Sequence, residues 1–133
     1  MKENLEPNIQ DRLESYFLRF DFPYKKVSDT MWSLSAEVSG ISNFVVHYDD
    51  PIVIFRVKIM EIPSKNKEEF FGKLLRLNAE KMVHGAYGIE GDNIVIIDAL
   101  EAENLDYNEF SATIDSIIFA LTEDYEELKK FLK

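Results

Sequence analysis

Residues 32–60 read WSLSAEVSGISNFVVHYDDPIVIFRVKIM, and their period decides the fold class. Trp32, Leu34, Ala36 and Val38 alternate with Ser33, Ser35, Glu37 and Ser39. That period of two marks a strand with one face in a core and one in water. Ser39-Gly40 is a turn signal, and Phe44, Val46 and Tyr48 form a second alternating set. Asp49-Asp50-Pro51 reads as another turn. From Ile52 to Met60 a third strand is expected, with Val53, Phe55, Val57 and Ile59 on its core face. Its other face would carry Ile52, Ile54, Arg56, Lys58 and Met60, mixing charge with apolar surface. Three strands joined by short turns imply an antiparallel meander.

Helices are expected on both sides of this block. Upstream, Ile9, Leu13, Tyr16, Phe17 and Phe20 recur at helical spacing, with Asn8 as cap and Asp21-Phe22-Pro23 as stop. Downstream, Asn66 and Glu69 suggest a capping box for a second helix whose broad face is Phe70, Phe71, Leu74, Leu75, Ala79 and Met82. It should stop near His84-Gly85, where glycine can turn left-handed and His84 can meet free carbonyls. Ala86–Ile89 and Ile94–Ala99 flank Gly91-Asp92-Asn93 and read as a hairpin. Asp106 and Glu109 then cap a last helix with Phe110, Ile114, Ile117, Leu121, Tyr125, Leu128 and Leu132 on its stripe. Ile118 and Phe119 fall outside that stripe. No repeat or linker divides the chain, so residues 1–133 are one α+β domain, α-β-β-β-α-β-β-α, with an antiparallel sheet of about five strands and three helices.

Composition narrows the function. The 133 residues suit one domain, and 46% hydrophobic content is too rich for a disordered tail. The absence of cysteine removes thiol nucleophiles, thiolate metal sites and disulfides. Apolar runs such as Ile94–Ile97 fall far short of the roughly 20 residues that span a bilayer. Charged residues throughout Met1–Phe20 speak against a signal peptide, so the expected location is cytoplasmic. The formal net charge is −10, but its placement says more. Between Met82 and Leu128 stand twelve acids and no lysine or arginine, while fifteen basic and thirteen acidic residues lie elsewhere. A phosphate backbone would be repelled, so no nucleic-acid partner is expected. The stretch is either a solvated face or a surface for a basic or amphipathic partner.

No catalytic or metal constellation stands out. His47 and His84 are the only histidines. His47 shares a strand face with Asp49 but with no evident nucleophile. Glu90, Asp92 and Asp98 lack the spacing of a calcium loop, and no glycine-rich phosphate loop precedes a helix. No enzyme activity and no cofactor are expected. The better signal is apolar surface: Val45 and His47 on the second strand, with Ile52, Ile54, Arg56, Lys58 and Met60 on the third. A second helix could cover that face, or it could be an interface. A free sheet edge could also accept an extended peptide.

The run Leu74-Leu75-Arg76-Leu77-Asn78-Ala79, then His84-Gly85-Ala86-Tyr87-Gly88-Ile89 and Gly91-Asp92-Asn93-Ile94-Val95-Ile96, resembles the YbjN family. So does the tail through Leu100-Glu101, Asn104-Leu105-Asp106 and the acidic last helix. That family shares its fold with the class I type III secretion chaperones. The resemblance covers roughly the last 70 residues well and implies an acidic, often dimeric protein that binds a polypeptide without turnover. It makes Leu77 a buried helix contact and Asn78 a group that satisfies nearby backbone, and it supplies no catalytic residue. The expectation is a non-enzymatic, chaperone-like peptide- or protein-binding homodimer with the partner on Val45, His47, Ile52, Ile54, Arg56, Lys58 and Met60. A regulatory adaptor acting through its own oligomer, or a small-molecule domain, is the alternative.

Overall fold

The computed structural model describes residues 8–36 and 41–132. The turn expected at Ser39-Gly40 and its neighbours Glu37 and Val38 lie outside them. Helix α1 (Ile9–Phe20) starts where the Asn8 side chain accepts the Asp11 N–H at 2.7 Å. It ends at Asp21, which takes a left-handed conformation with φ 63°. Strands β1 (Tyr24–Ser28), β2 (Met31–Ala36), β3 (Ile41–Asp49) and β4 (Ile52–Glu61) follow, then helix α2 (Lys67–Glu80). Strands β5 (Ala86–Glu90) and β6 (Asn93–Glu101) and helix α3 (Tyr107–Leu128) complete the chain, with a 3₁₀ turn over Lys129–Leu132.

All six strands form one antiparallel sheet in the order β1-β2-β3-β4-β6-β5. The count exceeds the expected five because of β1, Tyr-Lys-Lys-Val-Ser. It is an edge strand whose last four residues are all exposed, so no apolar alternation marks it. The three helices pack on one face of the sheet. Leu13 and Phe17 of α1, Phe70, Leu74 and Leu77 of α2, and Phe110, Ile114 and Ile117 of α3 join Trp32, Leu34, Phe44, Val46, Val53, Phe55, Val57, Ile94 and Ile96 in a single core.

Two local expectations change. Asn66 sits left-handed at φ 57° and its side chain makes no capping hydrogen bond, so α2 starts without the capping box. The rotation of α2 buries Leu77 and leaves Leu75 68% exposed, the reverse of the expected stripe for Leu75. The Asp106 cap does form, accepting the Glu109 N–H at 2.7 Å. Helix α2 stops at Glu80, earlier than expected, and Gly85 follows in a left-handed conformation at φ 82°. A Cβ there would meet the Ile97 carbonyl at 3.1 Å, so glycine is required both by φ and by space. Among the described residues no helix is long and apolar enough to cross a membrane.

Candidate functional site

With every helix on one side, the opposite face of the sheet carries no helix among the described residues. The antiparallel registers place Val45 opposite Arg56, and His47 opposite Ile54. Arg56 pairs in turn with Ile97 of β6, Ile54 with Ala99, and Lys58 with Val95. Side chains alternate along each strand, so Val45, His47, Ile52, Ile54, Arg56 and Lys58 share this outer face. Val45, His47, Ile52, Ile54 and Arg56 are half-buried and Lys58 is exposed. A covering helix, one of the two readings open from sequence, is absent among the described residues.

Met60 is the exception. The register shifts between Lys58 and Met60, leaving Ile59 without a partner and pairing Met60 with Ile94. One extra residue reverses every side chain beyond it. Met60 is therefore 6% exposed and part of the core, not of the outer face. It is removed from the set.

The outer face also holds residues that strand alternation alone could not assign to it. Met31 lies opposite His47, and Ile97 and Ala99 line up beside Arg56 and Ile54. The signal for Ile97 and Ala99 was their alternation with Ile96 and Asp98; what was missing was the knowledge that β6 lies next to β4. Glu90 on β5 forms an ion pair with Arg56, with its Oε2 3.0 Å from Nε. The pair reaches across β6, whose outward Val95 is 4% exposed. The face is thus an apolar surface with Arg56 in its midst and Lys58, Asp49, Glu90 and Glu101 as charged margins.

The two sheet edges differ. Along β5 the Asn78 side chain of α2 accepts the Tyr87 N–H at 2.7 Å and donates to the Tyr87 carbonyl at 3.2 Å. One amide thus takes the place of a neighbouring strand at that residue, the role the resemblance implied for Asn78. Asn78→Ala should cost about 1–3 kcal/mol, since two backbone groups beside a 7% exposed Tyr87 lose their partners. Urea unfolding checks the cost. Along β1, Lys25, Lys26 and Val27 are exposed. A groove of about 330 Å³ lined by Phe17, Leu18, Phe22 and Tyr24 opens where that strand begins.

His84 is anchored by its main chain. Its N–H donates to Ser116 Oγ and its carbonyl accepts from the same hydroxyl, both at 3.3 Å. Among the described residues no group of three or more histidines and carboxylates is placed to hold a metal ion.

The family model CesT_Tir_1 matches residues 6–133. No curated protein sequence matches the chain. Among solved structures, a chain of the heterodimeric ExoU–SpcU complex from the type III secretion system of Pseudomonas aeruginosa superposes with a TM-score of 0.69. It is 13% identical, with 91% of this chain and 98% of that one covered. YbjN from E. coli, described as a candidate transcription regulator, gives 0.64 at 15% identity, covering 91% and 93%. A chain of the HopA1–SchA chaperone–effector complex gives 0.65 at 8% identity, covering 88% and 92%. At these identities the likeness is one of fold.

Proposed function

The chain belongs to the CesT_Tir_1 family of type III secretion chaperones, and from that membership and its uncovered sheet face we propose a non-enzymatic, chaperone-like polypeptide-binding module. The observation that carries this reading is the outer face itself. Half-buried apolar side chains stand in register on adjacent strands with no helix over them, and contiguous apolar surface of that kind marks a contact site. Structural neighbours include a chain of a chaperone–effector complex, which supports a polypeptide as the partner.

In this reading the partner buries apolar side chains against Val45, His47, Ile52 and Ile54. Arg56 and Lys58 meet acidic groups, and such contacts set register and on-rate more than affinity. An extended segment can also add to an edge. Asn78 already pairs with Tyr87 on β5, so the freer edge for a partner is β1, with the groove beside Leu18 receiving a side chain. No cofactor takes part. The protein acts in the cytoplasm, and a homodimer is its working form.

Ile54→Asp tests this. A carboxylate placed among half-buried apolar groups should reduce partner capture from native lysate at least tenfold, with the melting temperature nearly unchanged. Intact capture would sink the surface assignment. A regulatory adaptor acting only through its own oligomer would show a dimer in light scattering and yield no captured partner.

A further inference from the structure

On the helical side of the molecule, away from the outer sheet face, a groove of about 570 Å³ lies between the segment after α2 and the flank of α3. Its walls are mostly apolar, with Val83 and Phe119 at 82% and 60% exposure. Asp115 and Asp124 also line it. Asp124 is only 2% exposed. Its Oδ2 accepts the Tyr87 hydroxyl at 2.7 Å, while its buried Oδ1 has no hydrogen-bond partner. The Lys81 ammonium stands 3.7 Å from Oδ1, an ion pair too long to be a hydrogen bond, on a side chain 52% exposed. A buried carboxylate oxygen in this state gains from any donor that reaches it.

We propose that this groove is a second docking site, for a partner segment in which an arginine stands next to an apolar residue. This rests on the reading of the chain as a polypeptide binder. The guanidinium donates to Asp124 Oδ1 in place of Lys81, whose flexible stem swings into solvent. The adjacent apolar side chain seats between Val83 and Phe119. Arginine fits better than lysine because its guanidinium is more weakly hydrated than an ammonium and gives up less water to reach a buried oxygen. Charge complementarity points the same way. The sequence from Met82 to Leu128 has no lysine or arginine of its own, and Lys81 is the one cation ion-paired to Asp124 among the described residues.

The test is a titration of the ¹⁵N-labelled full chain with acetyl-Ala-Arg-Leu-Leu-Ala-amide and with the same peptide carrying citrulline for arginine. The arginine peptide should shift the amides of Val83, His84, Ser116 and Phe119 and bind at least tenfold more tightly than the citrulline peptide. Lys81→Ala, which removes the internal competitor, should tighten the arginine peptide about threefold, and Phe119→Ala should weaken both. Equal affinities for the two peptides, no shifts in the groove, or weaker binding in Lys81→Ala would each overturn the proposal. So would groove shifts that depend on protein concentration without peptide, because the occupant would then be a second copy. If Ile54→Asp loses its partner while the groove titration fails, the groove proposal falls and the sheet-face reading stands.

Discussion

Phe110→Ala will lower the free energy of unfolding by about 3–5 kcal/mol, measured by urea denaturation. Phe110 is fully buried, and its ring packs against five others: Tyr16, Phe17 and Phe20 of α1, Phe55 of β4, and Tyr107 of its own helix. Centroid separations of 5.5–6.3 Å fall in the range where aromatic pairs add to plain area burial. Truncation therefore opens a cavity where α1, α3 and the centre of the sheet meet, and rigid rings on three elements cannot collapse into it. Phe119→Ala nine residues further along the same helix is the control. That side chain is 60% exposed, so its loss should change stability by less than about 0.5 kcal/mol. A small effect at Phe110 would mean that α1 does not pack as described.

Tyr87→Phe will cost about 1–3 kcal/mol at neutral pH, because it leaves a 2% exposed carboxylate without the one hydrogen-bond donor it has among the described residues. It will also change the alkaline limb of the stability profile. Burial, then the hydrogen bond to Asp124 and that carboxylate's charge, push the Tyr87 hydroxyl well above its ordinary range. An unfolded chain releases the tyrosine proton near pH 10, whereas the folded chain keeps it. The stabilisation is thus fully present below about pH 10 and declines as the pH rises beyond it, where the unfolded state binds fewer protons. Urea midpoints between pH 8 and 11 should fall more steeply in the parent than in Tyr87→Phe. Parallel slopes would show that Tyr87 ionises alike in both states.

Much of the candidate face was legible because a period of two states which side chains share a side. Val45, His47, Ile52, Ile54, Arg56 and Lys58 could be grouped from alternation alone, and the registers confirm the grouping. Alternation says nothing about a bulge, however. The unpaired Ile59 carries Met60 into the core, and no residue in that run announces it. Strand β1 escaped notice for the opposite reason, since four exposed residues in a row have no pattern to read. On α2 the apolar positions were visible, and Leu77 is buried as the resemblance implied, but Leu75 turns outward because an all-round mixture of leucines fits several rotations. The groove by Asp124 had a single trace in sequence, the acidic run from Met82 to Leu128, which looks the same whether solvated or enclosing a site.

By itself the sequence determined the element order after β1, the two opposed faces of the long strands, the caps at Asn8 and Asp106, and the family likeness. These are local properties, set by periods of two and 3.6 and by backbone preferences within a few residues. Only the tertiary structure decided that all three helices lie on one side of the sheet and that β6 sits beside β4. It alone showed Asn78 closing the β5 edge and Asp124 buried with one oxygen unpartnered. Those outcomes depend on pairings between residues far apart in the chain. Such pairings are selected by how the whole core packs, so they leave no pattern in any single segment.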